Sequence, residues 1–146
     1  MEPQISAEVK KNKVKLDFKE SKYATGRRKK SIAKVWVKKG SGNFHVNGKK
    51  MNEYFLKPNL QVAILRPLTI AKRESEYDVR SSVKGGGLTG QAGAIIHGLA
   101  RAILLHEPDL KSTLKKESLT TRDSRTVERK KYGRRKARRS FQFSKR

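Results

Sequence analysis

The sequence predicts a small α+β domain that is preceded by a flexible segment and followed by a basic tail. Three observations support this: strand-like alternation over Tyr77–Lys84, an amphipathic helical pattern after Gly87, and a near-absence of apolar residues beyond Leu119. The 146 residues leave room for one domain. Only 34% of them are hydrophobic, so part of the chain must lie outside the core.

The charge of the chain indicates a polyanionic partner. Lys and Arg number 37 against 13 acidic residues, a net charge of +24, which implies nucleic acid or an anionic membrane surface. The longest apolar run is interrupted at His97, Gly98 and Arg101, so no membrane-spanning segment is expected. Residues 1–20 lack the apolar stretch of a signal peptide. The absence of cysteine excludes disulfides and thiolate metal sites.

The first half of the chain predicts strands and short helices. Residues 1–21 are expected to be a flexible extension, and their four acids and lack of Arg argue against a transit peptide. A basic cluster then leads into a strand at 32–37, which a glycine-rich turn at 40–43 joins to an antiparallel strand at 44–46. Asn47-Gly48 predicts a second turn. Helical turns are expected at 51–56 and 60–66, the second ended by Pro67, before a third strand at 68–71.

The second half predicts one half-buried strand and one long helix. Over Tyr77–Lys84 the residues alternate, so that one face is buried and the other, with Asp78, Arg80, Ser82 and Lys84, is wet. The helix after Gly87 has an apolar stripe at helical spacing. This stripe consists of Ala92, Ile95, Ile96, Leu99, Ala102 and Ile103. A shorter helix is expected after Pro108, with Leu110 and Leu114 inward.

The opposite face of this helix is predicted to be an open glycine face. It comprises Gly90, Gly93, Ala94, His97 and Arg101. Glycine weakens a helix by about 0.5–1 kcal/mol, so a surface that carries two of them is interpreted as one that a ligand approaches closely. For His97, contact with a polar ligand and ordinary exposure are both open.

The glycine-rich segment before the helix has three interpretations. Residues 85–90 match G-x-G-x-x-G between a strand and a helix, but a dinucleotide site also needs a later strand that ends in an acidic residue, and Pro108 and a basic tail follow instead. Amides at a helix N-terminus attract any phosphate, which favours a nucleic-acid backbone. A tight turn without a ligand is the third interpretation.

Other candidate sites are weak. The three histidines lack partners at metal-ligand spacing, so no metal is expected, and no nucleophile or acid–base arrangement predicts an enzyme. Trp36 is expected to pack in the core rather than stack on a base.

The cations form two groups: those after Arg122 on a mobile arm, and a fixed basic face on the domain. This face comprises Arg27, Arg28, Lys29, Lys30, Lys72, Arg73, Arg80, Lys84 and Arg101.

Three stretches carry a resemblance to a known family: YATGRRKKSIAKVWV, VKGGGLTGQAGAIIHGLARAIL and TRDSRTVERKKYGRRKARRSFQFSKR. Together they resemble the small ribosomal subunit protein nine family of the bacterial type, over residues 22–146. The chain departs from the family where Ser124 and Phe141 replace common prolines, which makes the tail less pre-extended. A free nucleic-acid-binding regulator is less favoured, since the best helix shows glycine rather than base-reading side chains.

The resemblance implies a two-layer α+β domain with a four-stranded sheet and a left-handed βαβ crossover, an exception to the usual right-handed rule. It divides the chain into an extension at 1–21, a globular RNA-binding domain at 22–121 and an extended, disordered basic tail at 122–146. The implied function is that of a structural constituent of the small ribosomal subunit, without cofactor or enzymatic activity.

The resemblance also implies partners and contact residues. The partners are ribosomal RNA of the subunit head, neighbouring head proteins and, at the tip of the tail, peptidyl-site transfer RNA. A bacterial cytoplasmic ribosome is favoured over an organellar one. Transfer-RNA contacts are expected at Ser144, Lys145 and Arg146. Ribosomal-RNA contacts are expected at Arg27, Arg28, Lys29, Lys30, Lys84, Gly85, Gly86, Gly87, Gly90, Gly93, His97, Arg101, Arg129, Lys130, Lys131, Arg134, Arg135, Lys136, Arg138 and Arg139.

Overall fold

The computed structural model describes residues 19–144. The predictions for residues 1–18, Lys145 and Arg146 therefore lie outside the described residues. The strands are β1 (Lys22–Arg28), β2 (Ser31–Lys39), β3 (Phe44–Val46), β4 (Lys49–Lys50) and β5 (Tyr77–Lys84). The helices are α1 (Met51–Tyr54), α2 (Pro58–Ala71), α3 (Leu88–His106) and α4 (Lys111–Lys116), with a 3-10 turn at Pro108–Leu110.

The α+β class is confirmed, but the count of four strands is wrong. Within the described residues the sheet has five strands in the order β1-β2-β5-β3-β4. The basic cluster at 27–30 was expected to precede the first strand. Instead, Arg27 and Arg28 are the last residues of a strand, β1, which pairs antiparallel with β2. The strand β4 adds two residues at the opposite edge of the sheet.

The third strand predicted at 68–71 is also wrong, because α2 continues through Pro67 to Ala71. A proline inside a helix removes one backbone hydrogen bond. This loss is offset by packing, since Ile64, Pro67, Leu68 and Ala71 are buried at the spacing of one helical face. The helix ends at Lys72 in the left-handed conformation, where the Lys72 amide donates to the carbonyl of Thr69.

The predicted β2–β3 hairpin is wrong as well, because β5 lies between these two strands. The link from β2 to β3 is held against β5 by Asp78, whose Oδ1 accepts the amides of Ser41 at 3.0 Å and Asn43 at 2.8 Å. The strand β3 pairs parallel with β5, and α1 and α2 form the crossover between them. The hand of this crossover stays a prediction. The turn at Asn47-Gly48 is confirmed, with positive φ at both residues.

The core lies between one face of the sheet and the helices α2 and α3. The alternation predicted for β5 is confirmed: Tyr77, Val79, Ser81 and Val83 are buried, and the residues between them are not. The predicted apolar stripe of α3 is also buried, except for half-buried Ile96. The other face of the sheet is left uncovered by these helices.

By length and composition, α3 is a helix that could cross a membrane, contrary to the expectation from its interrupted apolar run. Half of its 18-residue apolar window is nevertheless buried inside the domain. Burial of this kind is what a helix at the centre of a protein core shows.

Candidate nucleic-acid interface

The basic turn between β1 and β2 lies beside the glycine loop that precedes α3. Lys29 adopts a left-handed conformation in this turn, with φ of 51°. The fully buried Ser31 donates a hydrogen bond from Oγ to the carbonyl of Gly85 at 2.9 Å. Lys84, at the end of β5, pairs with Ile32 of β2. The structure therefore brings the predicted cations at 27–30 and Lys84 next to the glycine loop.

The three glycines of this loop have different roles. Gly85 and Gly86 have positive φ angles of 78° and 63°. A Cβ atom would lie 2.5 Å from the Lys30 carbonyl oxygen at Gly85, and 2.3 Å from Ser31 Oγ at Gly86. At Gly87 a Cβ atom would have no neighbour within 4 Å. The fold requires the first two glycines, and only Gly87 of the three faces open space.

Gly87 also marks a free helix N-terminus. It is the N-cap of the 19-residue helix α3 and has no side chain to bind the first-turn amides, and that turn contains no acidic residue. First-turn amides lack carbonyl partners within a helix, and the helix dipole adds positive potential there. Together with the neighbouring cations, these amides form a site suited to phosphate.

The predicted open glycine face of α3 is wrong. Gly90 is buried, and a Cβ atom there would lie 2.8 Å from Ser31 Oγ. Ala94 is fully buried, and a Cβ atom at Gly93 would lie 2.9 Å from Cγ of Arg28. These small residues let the helix pack closely on β1 and β2. Contact of Gly90 and Gly93 with RNA stays a prediction, now without the open surface that motivated it.

Sequence reasoning missed the closest point of this packing, which joins Gly26 of β1 and Gly98 of α3. A Cβ atom at Gly26 would lie 1.9 Å from the carbonyl oxygen of Ala94 and 2.3 Å from the Gly98 amide nitrogen. Glycine inside a strand often marks close approach of another backbone. Gly26 was therefore a sign of close backbone packing, but it was interpreted only as part of the basic cluster at the start of the domain.

His97 and Arg101, both predicted RNA contacts, bind the backbone of the edge strand β1. Arg101 donates from Nη1 to the carbonyl of Thr25 at 2.7 Å, and the Arg27 amide donates to Nδ1 of His97 at 3.3 Å. Burial, reinforced by the charge of Arg101, lowers the pKa of His97, so the ring is neutral near pH 7 and can accept this bond. Both side chains therefore form hydrogen bonds with backbone groups of β1 that an edge strand leaves without a partner strand.

The tail begins at a fixed point beside the same turn. Leu119 is buried, and Asp123 forms an ion pair with Arg28 as well as one of 2.7 Å with Arg125. No helix or strand follows Lys116 within the part of the chain that the structure describes. The described tail cations that were predicted to bind RNA are all exposed. The predicted disorder of this tail stays a prediction.

The cations of the domain do not form one continuous face. Arg73 pairs with Glu76 at 3.1 Å and with Glu107 at 3.4 Å, and Glu107 also accepts the hydroxyl of Tyr77 at 2.5 Å. Burial raises the pKa of this Tyr77 hydroxyl. Because Tyr77 begins β5 and Lys84 ends it, Lys72 and Arg73 lie at the opposite end of that strand from the glycine loop, about 20 Å away.

Taken together, the fold and this site define an α+β domain whose basic turn and uncapped helix N-terminus are suited to binding phosphate. The dinucleotide interpretation fails, since the described residues after α3 contain no further strand. A family model described as ribosomal protein S9/S16 matches residues 26–146. The chain belongs to this ribosomal protein S9/S16 family, as the resemblance predicted. It is accordingly a structural ribosomal protein that binds ribosomal RNA.

Proposed function

We propose that this chain is a structural protein of the small-subunit head in a bacterial cytoplasmic ribosome, where it binds ribosomal RNA and neighbouring head proteins and contacts peptidyl-site transfer RNA with its tail. The observation that carries the RNA-binding part is the convergence of the turn at 27–30 on the uncapped N-terminus of α3. It supplies both point charges and directed amides for phosphate.

The turn and the helix N-terminus bind RNA without reading its sequence. The side chains of Lys29 and Lys30 are exposed, and the Lys30 backbone packs against Gly85, two residues before the open space at Gly87. Phosphate contacts of this kind release counterions, so the affinity falls as salt concentration rises. These contacts position the domain on folded RNA, while the tail extends the contact area.

The tail supports the transfer-RNA part of the proposal by its reach and charge. Residues 122–146 contain twelve Lys and Arg against two acids. Fully extended, they would span about 80 Å at about 3.3 Å per residue, well beyond the width of a small domain. The ion pair of Arg28 with Asp123 anchors the start of this arm beside the proposed RNA site. Exposed cations along the arm are suited to RNA phosphates, which leaves its tip, at 144–146, for the transfer RNA.

A charge-reversal experiment tests the ribosomal-RNA part. Lys29→Glu is expected to weaken incorporation of the full chain into small subunits reconstituted from RNA and proteins, because a carboxylate would face phosphate. Lys111→Glu makes the same charge change on the exposed surface of α4, whose main contacts are with α2 and the 3-10 turn. The affinity of the Lys29 variant for RNA should also depend less steeply on salt: the negative slope of log affinity against log salt should shrink in magnitude by about 1 per lost contact. Equal effects of the two variants would reject the turn as a contact.

A deletion experiment tests the transfer-RNA part. Removing residues 144–146 should leave the subunit assembled but weaken peptidyl-site transfer-RNA binding by about 1–3 kcal/mol, the range for lost charge-assisted hydrogen bonds. Removing all residues after Thr121 should weaken incorporation as well. Transfer-RNA affinity of purified subunits is the measurement, and unchanged affinity after the short deletion would remove the tip from the proposal.

A further inference from the structure

The sheet face that the helices leave uncovered carries a row of four side chains, one from each of four neighbouring strands. Tyr23 of β1 pairs with Trp36 of β2, Trp36 pairs with Arg80 of β5, and Arg80 pairs with His45 of β3. Paired residues point to the same side of a sheet. Since Val35 and Val37 flank Trp36 and are fully buried on the core side, this row lies on the open side.

The members of this row contact one another. The Tyr23 and Trp36 rings lie 5.3 Å apart at 40°, and the guanidinium carbon of Arg80 lies 5.9 Å from the Trp36 ring centroid. Trp36 is half-buried and does not belong to the hydrophobic core, so the expectation of core packing is wrong. Tyr23 keeps 43% of its surface exposed. The neighbours hold both rings in place and leave ring surface accessible to a ligand.

The charge of the open face is positive. The next two rows of paired residues add Lys34 between Thr25 and Ser82, and then Arg27 and Lys84 on either side of Ile32. Asp78 lies on the same side of β5, but its carboxylate is already bound by the loop amides at Ser41 and Asn43. The face therefore combines aromatic rings with cations that pair with no carboxylate in the part of the chain that the structure describes, which makes it complementary to a polyanion that carries flat bases.

We propose that the open sheet face, defined by Tyr23, Lys34, Trp36, Arg80 and Lys84, binds an unpaired stretch of RNA. Bases stack on the two rings, and phosphates lie against the cations. Only unpaired RNA offers its base faces to protein rings, because in a duplex the bases are stacked on one another. The proposal rests on the proposed function, in that the strand belongs to the ribosomal RNA held at the turn.

The position of the cations gives the path of the strand. Lys84 immediately precedes the glycine loop. Arg27 pairs with Ile32 near the end of β1, directly before the basic turn. An RNA strand that crosses the face from Trp36 toward Lys84 thus reaches the phosphate site at Gly87 without leaving basic surface. Duplex RNA could place phosphates against these cations but offers no base faces to the rings, so stacking on Tyr23 and Trp36 distinguishes unpaired from paired segments.

The single tryptophan of the chain makes the proposal directly measurable. Its intrinsic fluorescence reports Trp36 alone. Titration of the full chain with an eight-nucleotide oligouridine should quench this fluorescence, because a base stacks on or beside the ring. A blunt-ended RNA duplex and inorganic polyphosphate, each at equal phosphate concentration, should bind without comparable quenching. Equal quenching by polyphosphate would overturn the proposal, since charge alone would then explain the signal.

Matched variants separate stacking and charge on this face from general RNA binding. Tyr23→Leu keeps apolar volume and should weaken oligouridine binding about tenfold, within the range for loss of one base–aromatic stack. Tyr132→Leu removes a fully exposed tyrosine of the tail and should leave the quenching unchanged. Lys34→Gln should weaken binding more than Lys111→Gln. Unfolding midpoints measured alongside confirm that each variant is folded, and equal affinities within either pair would refute the assignment.

Assembled subunits separate this proposal from the proposed function. The accessibility of Trp36 to acrylamide should fall when the chain is incorporated. If the chain is incorporated and Trp36 stays as accessible as in the free protein, the open sheet face has no ligand in the subunit. This proposal then fails, while the proposed function stands. If Trp36 is shielded in the subunit but oligouridine never quenches it, a protein covers the face instead of RNA. Failure of incorporation would contradict the proposed function itself.

Discussion

Replacing Gly26 with alanine tests the contact on which the domain is built. The added Cβ atom would lie 1.9 Å from the Ala94 carbonyl oxygen and 2.3 Å from the Gly98 amide nitrogen, both of them backbone atoms of α3. A carbon–oxygen contact needs well over 3 Å, so β1 and α3 would have to separate by about 1 Å or more. That movement would loosen the hydrogen bonds from Arg101 and to His97 along the edge of β1.

The expected loss of stability can be compared with that of a control substitution on α3, the helix that Gly26 contacts. Overpacking costs about 1–3 kcal/mol and is opposed by about 0.4–1 kcal/mol from the stiffer unfolded chain, so Gly26→Ala should lower the free energy of unfolding by about 1–2 kcal/mol. Gly93→Ala should be near neutral, because its Cβ meets Cγ of the flexible Arg28 side chain and alanine favours the helix by about 1 kcal/mol.

Urea unfolding of the two variants provides the measurement. Circular dichroism reports the helices and Trp36 fluorescence reports the sheet, and the two transitions should coincide for a two-state domain. A Gly26→Ala protein within about 0.5 kcal/mol of the wild type would refute the close contact between β1 and α3.

Three further perturbations test the surroundings of the RNA site. Ser31→Ala should lower the free energy of unfolding by about 0.5–1.5 kcal/mol in urea titrations, because the hydrogen bond from the buried Ser31 hydroxyl to the Gly85 carbonyl is lost; a neutral result would show that this hydrogen bond is not needed. The lowered pKa of His97 means that the unfolded chain binds its proton first, so stability is full above about pH 6.5 and falls below it. In His97→Asn the decline between pH 7 and pH 5 should be smaller, and an unchanged profile would contradict this assignment. Asp123→Asn removes the ion pair with Arg28, and tryptic cleavage at the start of the tail should become faster, whereas an unchanged rate would show that the pair does not anchor the tail.

Periodicity predicted the elements whose faces differ in polarity. The alternation from Tyr77 to Lys84 correctly predicted the buried and the solvent-exposed faces of β5, and the apolar stripe correctly predicted which side of α3 faces the core. Helix α2 shows where one strong local signal misleads. Pro67 was interpreted as its end, yet the same helical spacing continues through Leu68 and Ala71, and their burial outweighs one lost hydrogen bond.

Strand pairing and the role of the small residues could not be predicted, because both depend on tertiary contacts. Nothing in the residues at 40–43 reveals that β5 inserts between β2 and β3 and that Asp78 holds the connecting loop. Gly90 and Gly93 were assigned to an open surface, since a sequence shows that side-chain bulk is missing but not which partner requires its absence. Here the partner is the turn and edge strand of the same domain.

The site was predicted in its composition and only in part in its geometry. The cations at 27–30 and Lys84 were expected to share a basic face, but their position beside the glycine loop was not predicted; it arises because β1 and β5 both end, and β2 begins, at the same end of the sheet. Trp36 was misassigned to the core because a lone aromatic residue in a strand is usually buried. Its neighbour Tyr23 lies on a strand that was not predicted, so the aromatic pair could not be recognised in advance.

The most direct measurement of the central claim is directed cleavage of ribosomal RNA from Lys29. The chain contains no cysteine, so Lys29→Cys provides a unique attachment point for an iron chelate that generates hydroxyl radicals. After incorporation into small subunits, the probe should cut ribosomal RNA strongly, whereas the same probe at Lys111→Cys on α4 should cut more weakly or elsewhere. Incorporated subunits with no cleavage from position 29 above the unlabelled background would contradict the placement of ribosomal RNA at the basic turn.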